Sequence, residues 1–246
     1  MNFELAQIVL YLLTGGFLVF LAITVVRDNI ANRLNRVTST LLFFAGLGPL
    51  FMALAAIVRL SPDSSLGFEE STLYHLRHSW EFFFPLLLLF SWIFPEDRLR
   101  EFRHDRLKYV IFVPTILHLG LVLFYNQLVN LLSLLQIEPG DRGFVGIILT
   151  PLAKIFSFVL MSIGAIRTYD EQIFGFLNLI YIVVAIYFLE VGRRMVTNPR
   201  LLTPTRVLFR GIRIGLAPWD IAFLGGLMLT KTFTGETKSL LTLTVA

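Results

Sequence analysis

The chain contains no cysteine, which excludes disulfides and thiolate chemistry. Charge is scarce too. Asp, Glu, Lys and Arg supply 15% of the residues, against about 25% in soluble domains. The first apolar run lacks the positively charged start of a secretory signal: only Glu4 precedes it. The ten-residue alternation of a transmembrane barrel is missing. So is a glycine-rich phosphate loop after a strand, since "GLGP" (46–49) and "GETK" (235–238) fall in apolar and connector contexts. No Ser-His-Asp or Cys-His arrangement stands out. None of the four histidines, His75, His78, His104 and His118, sits in a helical hairpin suited to accept a phosphoryl group. Catalysis is therefore not expected of this chain.

What is abundant is hydrocarbon. Of 246 residues, 56% are hydrophobic, and the mean hydropathy is +0.74. The excess comes in blocks of bilayer length, and a bilayer forces each block to satisfy its own backbone. The fold expected is all-α: a polytopic transmembrane bundle of about seven spans in one membrane-embedded domain, residues 1–246. The spans read Leu5–Val26, Val37–Ile57, Ser79–Pro95, Tyr109–Leu135, Ile173–Leu189 and Ile214–Leu229. A seventh begins near Leu240; the run Ser239–Ala246 is too short to cross, so the remainder is expected beyond Ala246.

The basic balance concerns orientation rather than nucleic acid. Fourteen of the 21 bases fall in three connectors: Arg27–Arg36, Arg98–Lys108 and Arg193–Arg213. Such connectors stay in the cytoplasm, which places the amino terminus outside. The second and third are separated by Tyr109–Leu135, residues 144–166 and Ile173–Leu189. Three crossings would put the last connector outside. Residues 144–166, which carry Pro151 and Lys154 near their centre, are therefore expected not to cross, lying along the outer interface or re-entering it with Lys154 reaching water.

Three stretches together carry a family resemblance: "NRLNR" (32–36), "FFFPLLLLFSWIFPEDR" (82–98) and "NPRLLTPTRVLFRGIRIGLAP" (198–218). In that order and spacing the chain resembles the amino-terminal seven-span sensor region of bacterial histidine kinases, also found ahead of some cyclases and phosphatases. The resemblance implies an input module in the bacterial inner membrane. It would detect an extracellular or intramembrane cue, a small molecule or lipid, and relay it to a cytoplasmic output domain expected after residue 246. It also implies a homodimer, because the outputs of that family work in pairs. The alternatives are a non-catalytic subunit of a membrane complex and a small transporter. Neither a repeat with broken helices nor a polar path supports the transporter.

The candidate sensing residues are His75, Arg77, His78, Trp80, Glu81, His118 and Asp220. His75, His78 and Glu81 are spaced i, i+3, i+6 and share one helical side, with Arg77 and Trp80 between them. On the expected topology they stand at the outer lip of the third span. Three roles are open: interfacial anchoring with Glu81 paired to Arg77 or a neighbouring base, a signal pocket, or a metal site. A fourth ligand is not identifiable, so no metal and no cofactor is assigned. Asp220 and His118 are ionisable groups within spans, which default to a functional role. Against this, Asp220 could stand at the inner surface and His118 could bond a backbone carbonyl. Glu190 is expected to pair locally with Arg193 and Arg194.

Overall fold

The computed structural model describes residues 2–60, 72–95, 107–134 and 170–195, with isolated helical positions at 158, 161–164, 166, 207, 210–211 and 214–215. Among the described residues there is no strand, and nearly all are helical. Lys154, Asp220, most of 144–166, most of Ile214–Leu229 and Ser239–Ala246 lie outside them.

Helix α1 spans Asn2–Asp28 and α2 spans Arg33–Arg59. The turn between them is closed by asparagines. The Asn29 side chain accepts from the Asn32 amide at 3.2 Å, and Asn32 caps α2 by accepting from the Leu34 amide at 2.9 Å. The two helices run antiparallel in close contact, and small residues allow it. A Cβ on Gly46 would stand 2.8 Å from the Gly15 carbonyl oxygen, and one on Gly15 would stand 2.8 Å from that of Gly46. Backbone cannot yield there, so only glycine permits this approach.

Residues Thr72–Ile93 form one helical rod of three parts: α3 (Thr72–Leu76), a 3-10 segment (Arg77–Phe82) and α4 (Phe83–Ile93). The change of pitch has a local cause. Pro85 has no N–H to give the Glu81 carbonyl four residues back, and its ring would crowd that oxygen. The turn before it tightens, and the Phe83 amide bonds back to the Trp80 carbonyl instead. The sequence places a third span at Ser79–Pro95 with Glu81 at its lip; the helical rod itself begins at Thr72, and Glu81 lies near the middle of the rod.

A short turn, α5 (Leu107–Val110), precedes α6 (Val113–Leu134); α7 spans Asp170–Met195. The core lies where α4 meets α7: Phe84, Leu87 and Leu88 pack against Tyr181, Ile182 and Ala185. The Tyr181 hydroxyl donates to the Ile111 carbonyl at 2.6 Å, between α5 and α6. Near the end of α7, Glu190 accepts from Arg193 at 2.5 and 3.1 Å and from Arg194 at 3.4 Å, the local pairing expected.

Among the described residues, three helices are long and apolar enough to cross a membrane, by length and composition: Glu4–Asp28, Arg33–Arg59 and Gln172–Met195. Many large apolar side chains of α1, among them Leu13, Phe17 and Phe20, face outward, while Ile8 and Tyr11 are buried against α2. At one end of the bundle Phe90 and Leu189 pack with Leu34, Val37 and Phe94. The start of α2, the end of α4 and the end of α7 thus lie together. Glu4 and Arg59, 3.6 Å apart, mark the opposite end of α1 and α2.

Candidate functional site

The 3-10 pitch sets up the site. With three residues per turn, side chains at i and i+3 eclipse one another. His78 and Glu81 are such a pair, and His78 Nδ1 lies 2.8 Å from Glu81 Oε1. The other carboxylate oxygen is taken by a residue from a different helix: His118 Nδ1, on α6, lies 2.5 Å from Oε2. The two imidazoles meet edge to face, 5.2 Å between centroids. Glu81 is 6% exposed and His118 2%, so the carboxylate is held in the interior.

Neighbours fix each ring. The His118 imidazole lies flat on Phe174 of α7, 3.8 Å between centroids and 11° between planes. Its Nε2 is buried with no hydrogen-bond partner among the described residues, as is the Ser79 hydroxyl. An orphaned buried polar group costs about 1–3 kcal/mol. On the other side, His78 Nε2 is approached at 3.5 Å by Arg77 Nε. That contact leaves the Nδ1 proton of His78 for Glu81. Trp80 seats its Cβ against Gly48, where an added Cβ would stand 2.7 Å away. Gly48 is about halfway along α2, so the whole cluster sits at mid-height in the bundle rather than at its rim.

Arg77 is the link to a second feature. Its guanidinium stacks over the Tyr74 ring at 3.9 Å and approaches Met52 Sδ at 3.9 Å. It lines a cavity of about 240 Å³ between α1, α2 and the rod. The polar lining is Glu4, Gln7, Tyr11, Arg59, Tyr74 and Arg77, on a floor of Ile8, Met52 and Ala56. Gln7 donates to the Tyr11 hydroxyl at 3.1 Å.

Of the sequence candidates, the structure brings together Arg77, His78, Trp80, Glu81 and His118. His75 is not in the carboxylate cluster; its ring meets Tyr74, 5.9 Å between centroids. Of the two partners expected for Glu81, the structure shows a basic side chain of a neighbouring helix, His118, and not Arg77; the expected backbone-carbonyl bond of His118 is corrected, since its Nδ1 meets the Glu81 side chain. Phe174, Gly48 and the cavity residues other than Arg77 were missed. Gly48 was visible only as an interruption of an apolar run, and Phe174 is one of 24 phenylalanines with nothing local to single it out.

No family model, no curated protein and no solved structure matches this chain.

Proposed function

We propose that the chain is a multi-pass membrane sensory input module, built as one domain, that acts by changing its packing and not by catalysis. The observation that carries this reading is the carboxylate of Glu81, buried at mid-height in an apolar bundle and bound by imidazoles from two separate elements. Ionisable groups at that depth are costly and mark functional positions. The cavity beside Arg77 receives a small polar cue, and the contacts Arg77–His78–Glu81–His118–Phe174 join it to α7. A cue that binds one arrangement of this chain of contacts better than another shifts the population between them.

The fuller form of the proposal has seven spans, the amino end outside, the inner membrane of a bacterium, a homodimer and a cytoplasmic output. The resemblance in residues 32–36, 82–98 and 198–218 supports that form, together with the three basic connectors.

The test is genetic. In cells that carry the chain, Glu81→Gln should reproduce much of the change in gene expression caused by deleting it, at unchanged abundance in the membrane. A Glu81→Gln strain with the expression pattern of the parent, while deletion changes it, removes Glu81 from signalling and overturns the reading. A deletion strain that changes nothing overturns it equally.

A further inference from the structure

Each oxygen of Glu81 faces an imidazole nitrogen, His78 Nδ1 from its own turn and His118 Nδ1 from α6. Arg77 directs its guanidinium to Tyr74, Met52 and His78. His118 Nε2 is buried with no hydrogen-bond partner among the described residues, so its Nδ1 is the nitrogen turned to the carboxylate. A divalent cation bound by Nδ1 of both imidazoles and by the carboxylate would take the place of the protons now facing Glu81, which pass to Nε2 of each ring.

The geometry points to a metal site: we infer that His78, Glu81 and His118 bind a divalent first-row transition-metal ion. Two imidazoles and one carboxylate are the donor set of many zinc centres, and also of ferrous ones. One ligand atom from each residue lies within 4.8 Å of the other two. Bonds of about 2.0–2.1 Å in a tetrahedron place ligand atoms roughly 3.3 Å apart. The shorter contacts, 2.8 and 2.5 Å, therefore open and the longest separation closes, which side-chain rotation can supply. Two ligands eclipse on the tight turn set by Pro85. The third is held flat by Phe174, so the set is largely preorganised. Three protein ligands leave a fourth position for water or for a ligand of the cue. Binding stands independently of the sensory reading; the ion's part in signalling rests on it.

The experiment uses the full chain in detergent micelles, stripped with a chelator and titrated with Co²⁺ alone. The expected result is one equivalent bound, with the visible absorption of a four-coordinate cobalt centre, displaced by Zn²⁺. His118→Ala and His78→Ala should each weaken binding by about 100-fold or more, while His75→Ala leaves it unchanged. Metal analysis of protein purified without chelator then tells zinc from iron. No uptake by the native chain, or equal uptake by native, His78→Ala and His118→Ala proteins, overturns the site. Should His118→Ala fail to fold, the partly exposed His78 supplies the deciding variant. If no Co²⁺ binds but Glu81→Gln still alters expression, the ion falls and the sensory reading stands. If Co²⁺ binds and Glu81→Gln is silent, the reverse holds.

Discussion

At the scale of single residues, the cost of Glu81 decides what its neighbours must do. A buried carboxylate stripped of a partner costs about 3–5 kcal/mol, because the charge stays and its compensation goes. Replacing the carboxylate by an amide removes the charge itself and leaves a group that two imidazoles can still meet. Truncating His118 should therefore destabilise the protein more than Glu81→Gln does, although Glu81 is the centre of the cluster. The double variant should be more stable than His118→Ala alone. Denaturant unfolding in micelles checks this; a double variant as unstable as the sum of both singles would show that the two side chains are not coupled. Two of the three residues of this cluster were legible together in the sequence. His78 and Glu81 announce themselves by their i, i+3 spacing. His118 is 37 residues from Glu81 and was visible only as a lone polar group in a span. Its partner depends on how α6 packs, which no local pattern encodes. His75 fits the same spacing and is not in the cluster, because the 3-10 segment begins only at Arg77.

At the scale of elements, one proline sets the pitch on which the site depends. In an α-helix, residues i and i+3 lie about 60° apart round the axis, whereas in a 3-10 helix they eclipse. Pro85→Ala restores an N–H to bond the Glu81 carbonyl and removes the ring that crowds it. The segment Arg77–Phe82 should relax toward α-helix and turn His78 away from the carboxylate. Co²⁺ affinity is expected to fall about tenfold or more, with helical content by circular dichroism unchanged or slightly higher. Affinity equal to that of the native chain would mean that the tight turn does not position the ligands. The proline itself was plain in the sequence, inside the stretch 82–98. Its consequence was not, because the extent of the rod was misjudged. Thr72–Arg77 is too polar to read as part of a span, yet it continues the helix and lowers Glu81 from the rim to the middle. The long apolar runs behave differently. Leu5–Val26, Val37–Ile57 and Ile173–Leu189 each appear as helices a few residues longer at both ends, since hydrocarbon periodicity at that length admits little else.

For the whole molecule, the arrangement of charge carries the remaining prediction. Helix α2 opens with Arg33 and Arg36 and has no acid in its first turn. Bases there oppose the helix dipole by about 0.3–1 kcal/mol each, so local helix energetics do not explain them. The proposed cytoplasmic placement of this loop would explain them, because Lys and Arg gather in such loops whatever the helix prefers. The contacts among Leu34, Val37, Phe90, Phe94 and Leu189 bring the ends leading to all three basic connectors to one end of the bundle. Between the second and third connectors run α6, residues 144–166 and α7. On the proposed topology, two connectors on one side require an even number of crossings; with α6 and α7 as those two, 144–166 should not cross. The absence of cysteine makes this simple to test, since single-cysteine variants have no background to remove. In intact cells, a membrane-impermeant maleimide should label Lys154→Cys and spare Thr203→Cys until the membrane is opened. Labelling of Thr203→Cys from outside, or protection of Lys154→Cys until permeabilisation, would place 144–166 across the bilayer and reverse the side on which the arginine-rich connector lies.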